Sequence, residues 1–92
     1  MAYRLSRKAE EDLLHVYLDG ANRFGLEQAD RYHDHLTGLF EMLSDNPRMA
    51  RERHELSPPV RIHPGKAHII VYIVDEQGDI LILRVRHGRE NW

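Results

Sequence analysis

Two uninterrupted aliphatic runs near the C-terminus constrain the fold most strongly. Residues 69–74 read IIVYIV and residues 80–83 read ILIL, without a polar break. Runs this short and this rich in β-branched side chains predict strands rather than helices. Together with PVRIH at residues 59–63 they predict a three-stranded antiparallel meander. We expect its turns at Pro64-Gly65 and near Gln77-Gly78.

Two amphipathic stripes precede these strands. Ser6 is a good N-cap, and Gly25 a natural stop, for a helix with an apolar stripe at Ala9, Leu13, Val16, Tyr17 and Phe24. A second helix ends at Asn46-Pro47, and its stripe comprises Leu26, Ala29, His33, Leu36, Leu39, Phe40 and Leu43. Residues 2–5 predict a short edge strand, and residues 44–58 a loop. The sequence therefore predicts an α+β fold: an N-terminal strand, an antiparallel two-helix hairpin and the meander, with the helices on one sheet face.

Composition narrows the classes of protein. A chain of 92 residues predicts one domain, 1–92, with a modest core. The absence of cysteine excludes disulfides and thiolate metal sites, and no run has the length of a membrane span. We expect a soluble cytoplasmic protein with no membrane partner. Five basic and nine acidic residues precede position 46, whereas eight basic and six acidic residues follow, so the positive end is C-terminal.

The apolar excess of the meander predicts a partner. An antiparallel sheet covered on one side should alternate apolar and polar residues, yet these runs place aliphatic side chains on both faces. Burying roughly four such side chains would be worth about 1.5 to 3 kcal/mol each. A second copy of the chain or an amphipathic segment of another protein would satisfy this need. Strand curvature, the N-terminal strand or the 44–58 loop could instead cover them.

Particular stretches carry a family resemblance. They are LSRKAEEDL at residues 5–13, and Tyr72 followed by I-L-x-V-x-H-x-R at residues 82–89 and the closing Trp92. In these the chain resembles the RelE/ParE superfamily of bacterial toxin-antitoxin systems, most closely its ParE branch. The resemblance implies a growth-inhibiting toxin that is wrapped and neutralised by a cognate antitoxin. It implies that ParE-type toxins trap DNA gyrase with cleaved DNA, whereas RelE-type relatives cut mRNA on the ribosome.

Partners and their surfaces follow from this resemblance. We expect the antitoxin to cover the second sheet face, and a homodimer or a toxin-antitoxin heterotetramer to be possible. The predicted antitoxin-binding residues are Ile69, Val71, Ile73, Ile80 and Ile82. Gyrase is the expected target, with no sequence-specific nucleic-acid binding and no catalytic activity of the chain itself. The predicted target-binding residues are Arg84, Arg86, His87, Arg89 and Trp92.

A ribonuclease of the RelE type is the alternative. Metal-free RNA cleavage needs a base, an acid and a cation. The chain offers Arg61, Lys66, His68, Arg84, Arg86, His87 and Arg89, of which the catalytic set would be His87, Arg84, Arg86 and Arg61. Strand alternation separates Arg84 and Arg86 from His87, and the strand at 69–73 lacks a cation. The basic residues could also merely solvate a strand in an inactive, antitoxin-binding homologue.

Other polar residues point to no chemistry. His33 and His35 are two apart on a helix and cannot readily meet one ion, so we expect no metal and no cofactor. His33 is expected to pack on the core, and His15 and His35 to be exposed. Glu10, Glu11 and Asp12 predict a solvated helix face. The arginines of RMARER at residues 48–53 are diluted by acids, which favours a solvated loop over a phosphate site.

Overall fold

The computed structural model describes residues 2–88, and its element order confirms the predicted α+β fold. The elements are β1 (Tyr3–Leu5), α1 (Arg7–Phe24), α2 (Leu26–Asp45), β2 (Glu52–Arg53), β3 (Val60–Gly65), β4 (His68–Val74) and β5 (Ile80–His87). Within the described chain, no helix combines the length and the hydrophobicity that spanning a membrane requires.

The helix ends lie where the sequence places them. The Ser6 hydroxyl accepts a hydrogen bond from the Ala9 amide at 3.0 Å and so caps the start of α1. Gly25 separates the helices with a φ of 94°, a conformation that side-chain-bearing residues rarely adopt. Its amide donates to the Ala21 carbonyl, and its carbonyl accepts from the Ala29 amide. One glycine therefore ends α1 and starts α2, which makes the hairpin tight.

The strands form one five-stranded sheet in the order β1-β5-β4-β3-β2. β3, β4 and β5 form the predicted antiparallel meander, and β1 pairs in parallel with the first half of β5. β2 lies in the stretch predicted as a loop, so that prediction was wrong over Glu52 and Arg53. A two-residue strand leaves no periodicity in the sequence, and pairing with β3 alone defines it.

The first hairpin turn lies later than predicted. Pro64 and Gly65 belong to β3, where they pair with Ile69 and His68, and the connecting residues are numbers 66 and 67. Lys66 takes the positive φ of 62° that a two-residue connection requires. Pro64 is tolerated within the strand because β2 pairs only with the start of β3, so no neighbouring strand needs its missing amide hydrogen.

The core lies between the hairpin and one face of the sheet. Its buried members are Ala9, Leu13, Leu36, Phe40, Leu43, Ala50, Ile70, Tyr72, Ile80, Ile82 and Val85. The Tyr72 hydroxyl donates to the Pro47 carbonyl at 2.9 Å, which ties the segment after α2 to the sheet. Ile80 and Ile82 have no exposed surface. Their prediction as antitoxin contacts therefore requires correction, because the helices of the same chain already cover them.

The opposite sheet face is less open than the sequence suggests. Val71 is only 1% exposed, between Ile62 and Arg84 on the neighbouring strands, whereas Ile69 and Ile73 are half-buried. Among residues 2–88, the large hydrophobic side chains that are more than half exposed lie instead on the helices and the following loop. They are Leu14, Leu18, Phe24, Leu26 and Met49. The apolar surface left for a partner is thus mainly helical.

Candidate functional site

The register of β5 sorts the basic residues near its end. Arg84 pairs with Val71, Arg86 with Ile69, and His87 with His68. Arginine and histidine positions therefore alternate between the two sheet faces, as strand geometry predicts. A bulge at the middle of the strand leaves Leu83 without a partner in the register. The bulge separates an apolar first half of β5 from a charged second half.

Asp12 of α1 is the centre of the charged half. Its carboxylate accepts two hydrogen bonds from the Arg84 guanidinium, from Nε at 2.8 Å and from Nη2 at 3.0 Å. The same carboxylate accepts the backbone amide of Val85 at 3.0 Å, and Arg86 Nη1 lies 3.9 Å away. This two-pronged contact with a guanidinium is the strong form of an ion pair. Arg84 is consequently held against α1, with a quarter of its side chain exposed.

The environment of Asp12 keeps it ionised. Burial alone would raise the pKa of its carboxyl group. The opposing effect is larger, because Arg84 and Val85 donate hydrogen bonds to the carboxylate and the charges of Arg84 and Arg86 stabilise it. The pKa therefore lies below its ordinary value. The prediction of a solvated face was therefore wrong for Asp12. Its spacing from Ala9 and Val16 could have revealed this, because it places Asp12 on the buried stripe, where a carboxylate needs a partner.

The proposed ribonuclease residues do not converge. Arg61 donates from Nη1 to the Ala50 carbonyl at 2.6 Å, beside the segment that follows α2. His87 pairs with His68 at the end of the sheet where β3 turns into β4, whereas Arg61 pairs with Tyr72. Strand rise alone separates these two positions on β4 by roughly 13 Å. Arg61 and His87 therefore cannot act on one phosphate group.

A different group of rings does converge. The Tyr32 hydroxyl lies 2.7 Å from His68 Nδ1 and 3.0 Å from the Gly65 carbonyl, and the rings of His68 and His87 are 5.6 Å apart. Burial raises the pKa of Tyr32 despite lowering contributions from backbone hydrogen bonds, so the hydroxyl keeps its proton at neutral pH. Tyr32 was not among the predicted site residues, although its spacing from Ala29 and Leu36 places it on the buried face of α2.

A groove of about 550 Å³ runs between α1, α2 and the β3–β4 turn. Its walls combine aliphatic residues from both helices with aromatic and basic side chains at the rim, among them Leu13, Val16, Phe24, Tyr32, Lys66 and His68. Phe24 is 64% exposed, so an apolar side chain faces solvent at the edge of an apolar channel. Such a surface suits a segment that is apolar on one side and acidic on the other.

The remaining predicted residues have simpler surroundings. Arg89 and Trp92 lie outside the described residues. His33 packs edge-on against Tyr17, and His15 is exposed. His35 is half-buried against Tyr32 rather than exposed, and among the described residues its Nε2 has no hydrogen-bond partner. Between residues 2 and 88, no group of three histidine, cysteine or acidic side chains has the arrangement of a metal site.

Comparisons with known proteins agree with this architecture. The family model described as "ParE toxin of type II toxin-antitoxin system, parDE" matches residues 3–92. "Toxin ParE1" of Caulobacter vibrioides is 33% identical over 89 residues, which cover 97% of this chain and 91% of that protein. "Toxin ParE1" of Mycobacterium tuberculosis is 31% identical over 87 residues, with coverages of 95% and 89%.

A solved structure shows the same fold. The chain described as "Chromosomal ParDE TA system from P. aeruginosa" superposes with a TM-score of 0.80 at 22% identity, and the match covers 95% of each chain. The family model extends over almost the whole chain, and the curated relatives span its helices and strands alike. The chain therefore belongs to the ParE toxin family of type II toxin-antitoxin systems.

Proposed function

We propose that this chain acts in the cytoplasm as a single toxin domain that arrests growth by binding DNA gyrase and trapping it on cleaved DNA. The surface that contacts gyrase is the charged half of β5, with Arg86 and His87. Arg89 and Trp92, which lie outside the described residues, stay predicted target contacts. The observation that carries the proposal is the dispersal of the cationic side chains that a RelE-type nuclease would need. Arg61 contacts the Ala50 carbonyl, and Arg84 is paired with Asp12. Binding, unlike cleavage, requires no convergence of these groups.

A supercoiling assay tests the proposal. Purified chain added to gyrase and relaxed plasmid should suppress supercoiling in a concentration-dependent manner. Arg86→Gln should raise the half-inhibiting concentration about tenfold, because arginines at the centre of interfaces commonly contribute more than 1 kcal/mol. Arg23→Gln is the matched control, since Arg23 is an exposed arginine far along α1. Full supercoiling activity at every wild-type concentration would contradict the proposal.

The antitoxin, in turn, binds the helical groove rather than the open sheet face. The support is the distribution of exposed apolar surface, which is concentrated on α1, α2 and the following loop. Lys66 at the β3–β4 turn offers a positive charge to an acidic residue of the bound segment, whereas Arg31 is already paired with Glu27. Ile69 and Ile73 lie on the opposite sheet face and do not line this groove, so their contact with the antitoxin stays a separate prediction. The antitoxin would be encoded by the neighbouring open reading frame.

Substitutions at two exposed residues of α1 distinguish binding in the groove from nonspecific hydrophobic binding. Phe24 lines the groove, whereas Leu14 is similarly exposed but does not line it. Phe24→Ser should weaken binding of the neighbouring gene product about tenfold or more, and Leu14→Ser should change it little. Calorimetry with the purified pair measures both values. Equal losses for both variants would contradict a groove-specific interface.

Ribonuclease activity is the second candidate, and one observation favours it. Tyr32 has a single hydroxyl proton, and the Gly65 carbonyl can only accept a hydrogen bond. If the hydroxyl donates to Gly65, then His68 donates from Nδ1 to Tyr32, and this hydrogen bond fixes the orientation of the imidazole ring. With its ring oriented in this way, His68 lies beside His87, and two adjacent imidazoles are the side chains that a base and acid pair for RNA cleavage would use.

Transcript integrity in a translating extract decides between the two candidates. A ribonuclease would cleave mRNA, and His87→Ala would abolish the cleavage, whereas the exposed control His15→Ala would leave it intact. Uncleaved mRNA together with inhibited supercoiling would reject this candidate and support gyrase binding.

A further inference from the structure

The edge of β5 that faces β1 loses its neighbouring strand at the bulge. β1 pairs with residues 80–82 only, and its last contact is the Ser6 amide, which donates to the Ile82 carbonyl at 2.9 Å. From Leu83 onward no strand lies on that side of β5 within the described chain. An exposed strand edge carries backbone groups that require hydrogen-bond partners.

Side chains of α1 and its cap supply those partners in place of a strand. The Ser6 hydroxyl donates to the Leu83 carbonyl at 2.7 Å, and the Asp12 carboxylate accepts the Val85 amide at 3.0 Å. The spacing of these two contacts follows the alternation of carbonyl and amide groups along a strand edge. Side-chain atoms of Ser6 and Asp12 therefore bond to the backbone of β5 beyond the point where its pairing with β1 ends.

Asp12 also sets the charge at this edge. It neutralises Arg84 through two hydrogen bonds and lies 3.9 Å from the Arg86 guanidinium, at the limit of an ion pair. The carboxylate thus fixes the backbone at Val85, holds one arginine against α1 and attracts the second. Arg86 and His87 follow directly on the backbone amide that Asp12 holds.

We infer that Asp12 is a positioning residue of the toxin, which fixes the second half of β5 so that Arg86 and His87 meet the target in one arrangement. This inference rests on the proposed function, because it assigns the β5 end to target binding. It adds a residue of α1, remote in sequence, to the determinants of toxicity. Asp12 itself does not contact the target.

Three variants separate positioning from stability. Asp12→Asn keeps an oxygen that can accept the Val85 amide but loses the charge, whereas Asp12→Ala loses both. Glu11→Gln is the matched control, since Glu11 is the neighbouring acid and is exposed. Amide hydrogen exchange is measured at Val85 and at Ile82, gyrase inhibition in the supercoiling assay, and affinity for the neighbouring gene product by calorimetry.

For Asp12→Ala we expect exchange at Val85 to accelerate about tenfold or more while Ile82 stays protected, since a lost hydrogen bond releases that amide alone. Inhibition should weaken about tenfold in Asp12→Ala and less in Asp12→Asn, with antitoxin affinity retained and Glu11→Gln unchanged. Parallel losses of inhibition and antitoxin affinity would indicate mere destabilisation and overturn the inference.

The outcomes also distinguish this inference from the proposed function. Wild-type inhibition with an equally active Asp12→Ala variant would overturn the inference and leave gyrase binding intact. An inactive wild type would overturn the proposed function and, with it, the target-binding role of Asp12. Val85 exchange in Asp12→Ala would then still show whether the carboxylate holds the strand, and unchanged protection would refute that part as well.

Discussion

The two halves of β5 are held by different forces. Residues 80–82 pair with strands on both sides, and Ile80 and Ile82 are fully buried under the helices. Residues 84–87 pair with β4 on one side, and on the other side, within the described chain, Arg84 and the Val85 amide donate hydrogen bonds to Asp12 of α1. The first half is therefore part of the folding core. The second half is a charged extension whose arrangement depends on a few polar contacts, which suits residues that must meet another protein.

Truncating the first half should have the largest effect on stability. Ile82→Ala should lower the free energy of unfolding by about 2 to 5 kcal/mol, because it opens a cavity in the core. Ile73→Ala, on the half-buried outer face, should cost distinctly less. Urea unfolding followed by circular dichroism measures both values. Equal costs would contradict the assignment of Ile82 to the buried core and of Ile73 to the half-buried outer face.

Removing the charge that holds the second half should cost less. Asp12→Asn should lower the free energy of unfolding by about 1.5 to 3 kcal/mol at neutral pH, the range for hydrogen bonds to charged groups. The pKa of Asp12 is lowered by folding, so its contribution is present above its ordinary value of 3.8 and disappears as the pH falls through the lower value in the folded state.

Stability measured at acid pH checks that the contribution of Asp12 disappears as the pH falls. Urea midpoints measured from pH 7 to pH 2.5 should converge for wild type and Asp12→Asn at the acid end. A constant difference across the whole range would show that the charge of Asp12 is not the stabilising feature.

Substitution of Ser6, which contacts β5 at Leu83 between the two halves, should cost still less stability. Ser6→Ala removes the helix cap and the contact with the Leu83 carbonyl, and should cost about 0.5 to 2 kcal/mol. Thr at this position keeps the hydroxyl and should restore most of the loss. Thermal unfolding of Ser6→Ala and Ser6→Thr tests the expectation, and identical melting of the two variants would contradict it.

The smallest contribution to stability is expected from the ion pair between Arg86 and Asp12. This ion pair is long and partly exposed, so its loss in Arg86→Gln should contribute less than about 0.5 kcal/mol to the change in the free energy of unfolding. The same variant should lose gyrase inhibition. Weaker inhibition with unchanged stability would support a binding role for the charged half of β5. A large loss of stability would instead place Arg86 among the residues that hold the fold together.

The sequence predicted the elements well because their signals are local. Capping by Ser6, the stop at Gly25 and the aliphatic runs fixed the helices and the meander. The two-residue β2 and the displaced turn at Lys66 could not be predicted in this way. Pairing with β3 defines β2, and the position of the turn depends on which residues pair across β3 and β4.

The site was harder to predict because its contacts are remote in sequence. Asp12 and Arg84 are 72 positions apart, and Tyr32 and His68 are 36 apart. Helical spacing does place Asp12 and Tyr32 on buried faces, but it gives no partner for either. The expectation of an open apolar sheet face failed at Ile80 and Ile82, which are buried in the core with helix residues of the same chain. It also failed at Val71, which is only 1% exposed between Ile62 and Arg84 on the neighbouring strands.

The most direct test of the proposed activity is the state of plasmid DNA after incubation with gyrase, ATP and the purified chain, stopped with detergent and protease. Trapped cleavage complexes should appear as linear plasmid that increases with toxin concentration, decreases with Arg86→Gln or Asp12→Ala, and disappears when the antitoxin is added first. Plasmid that remains supercoiled and uncut at every concentration of the wild-type chain would contradict the account.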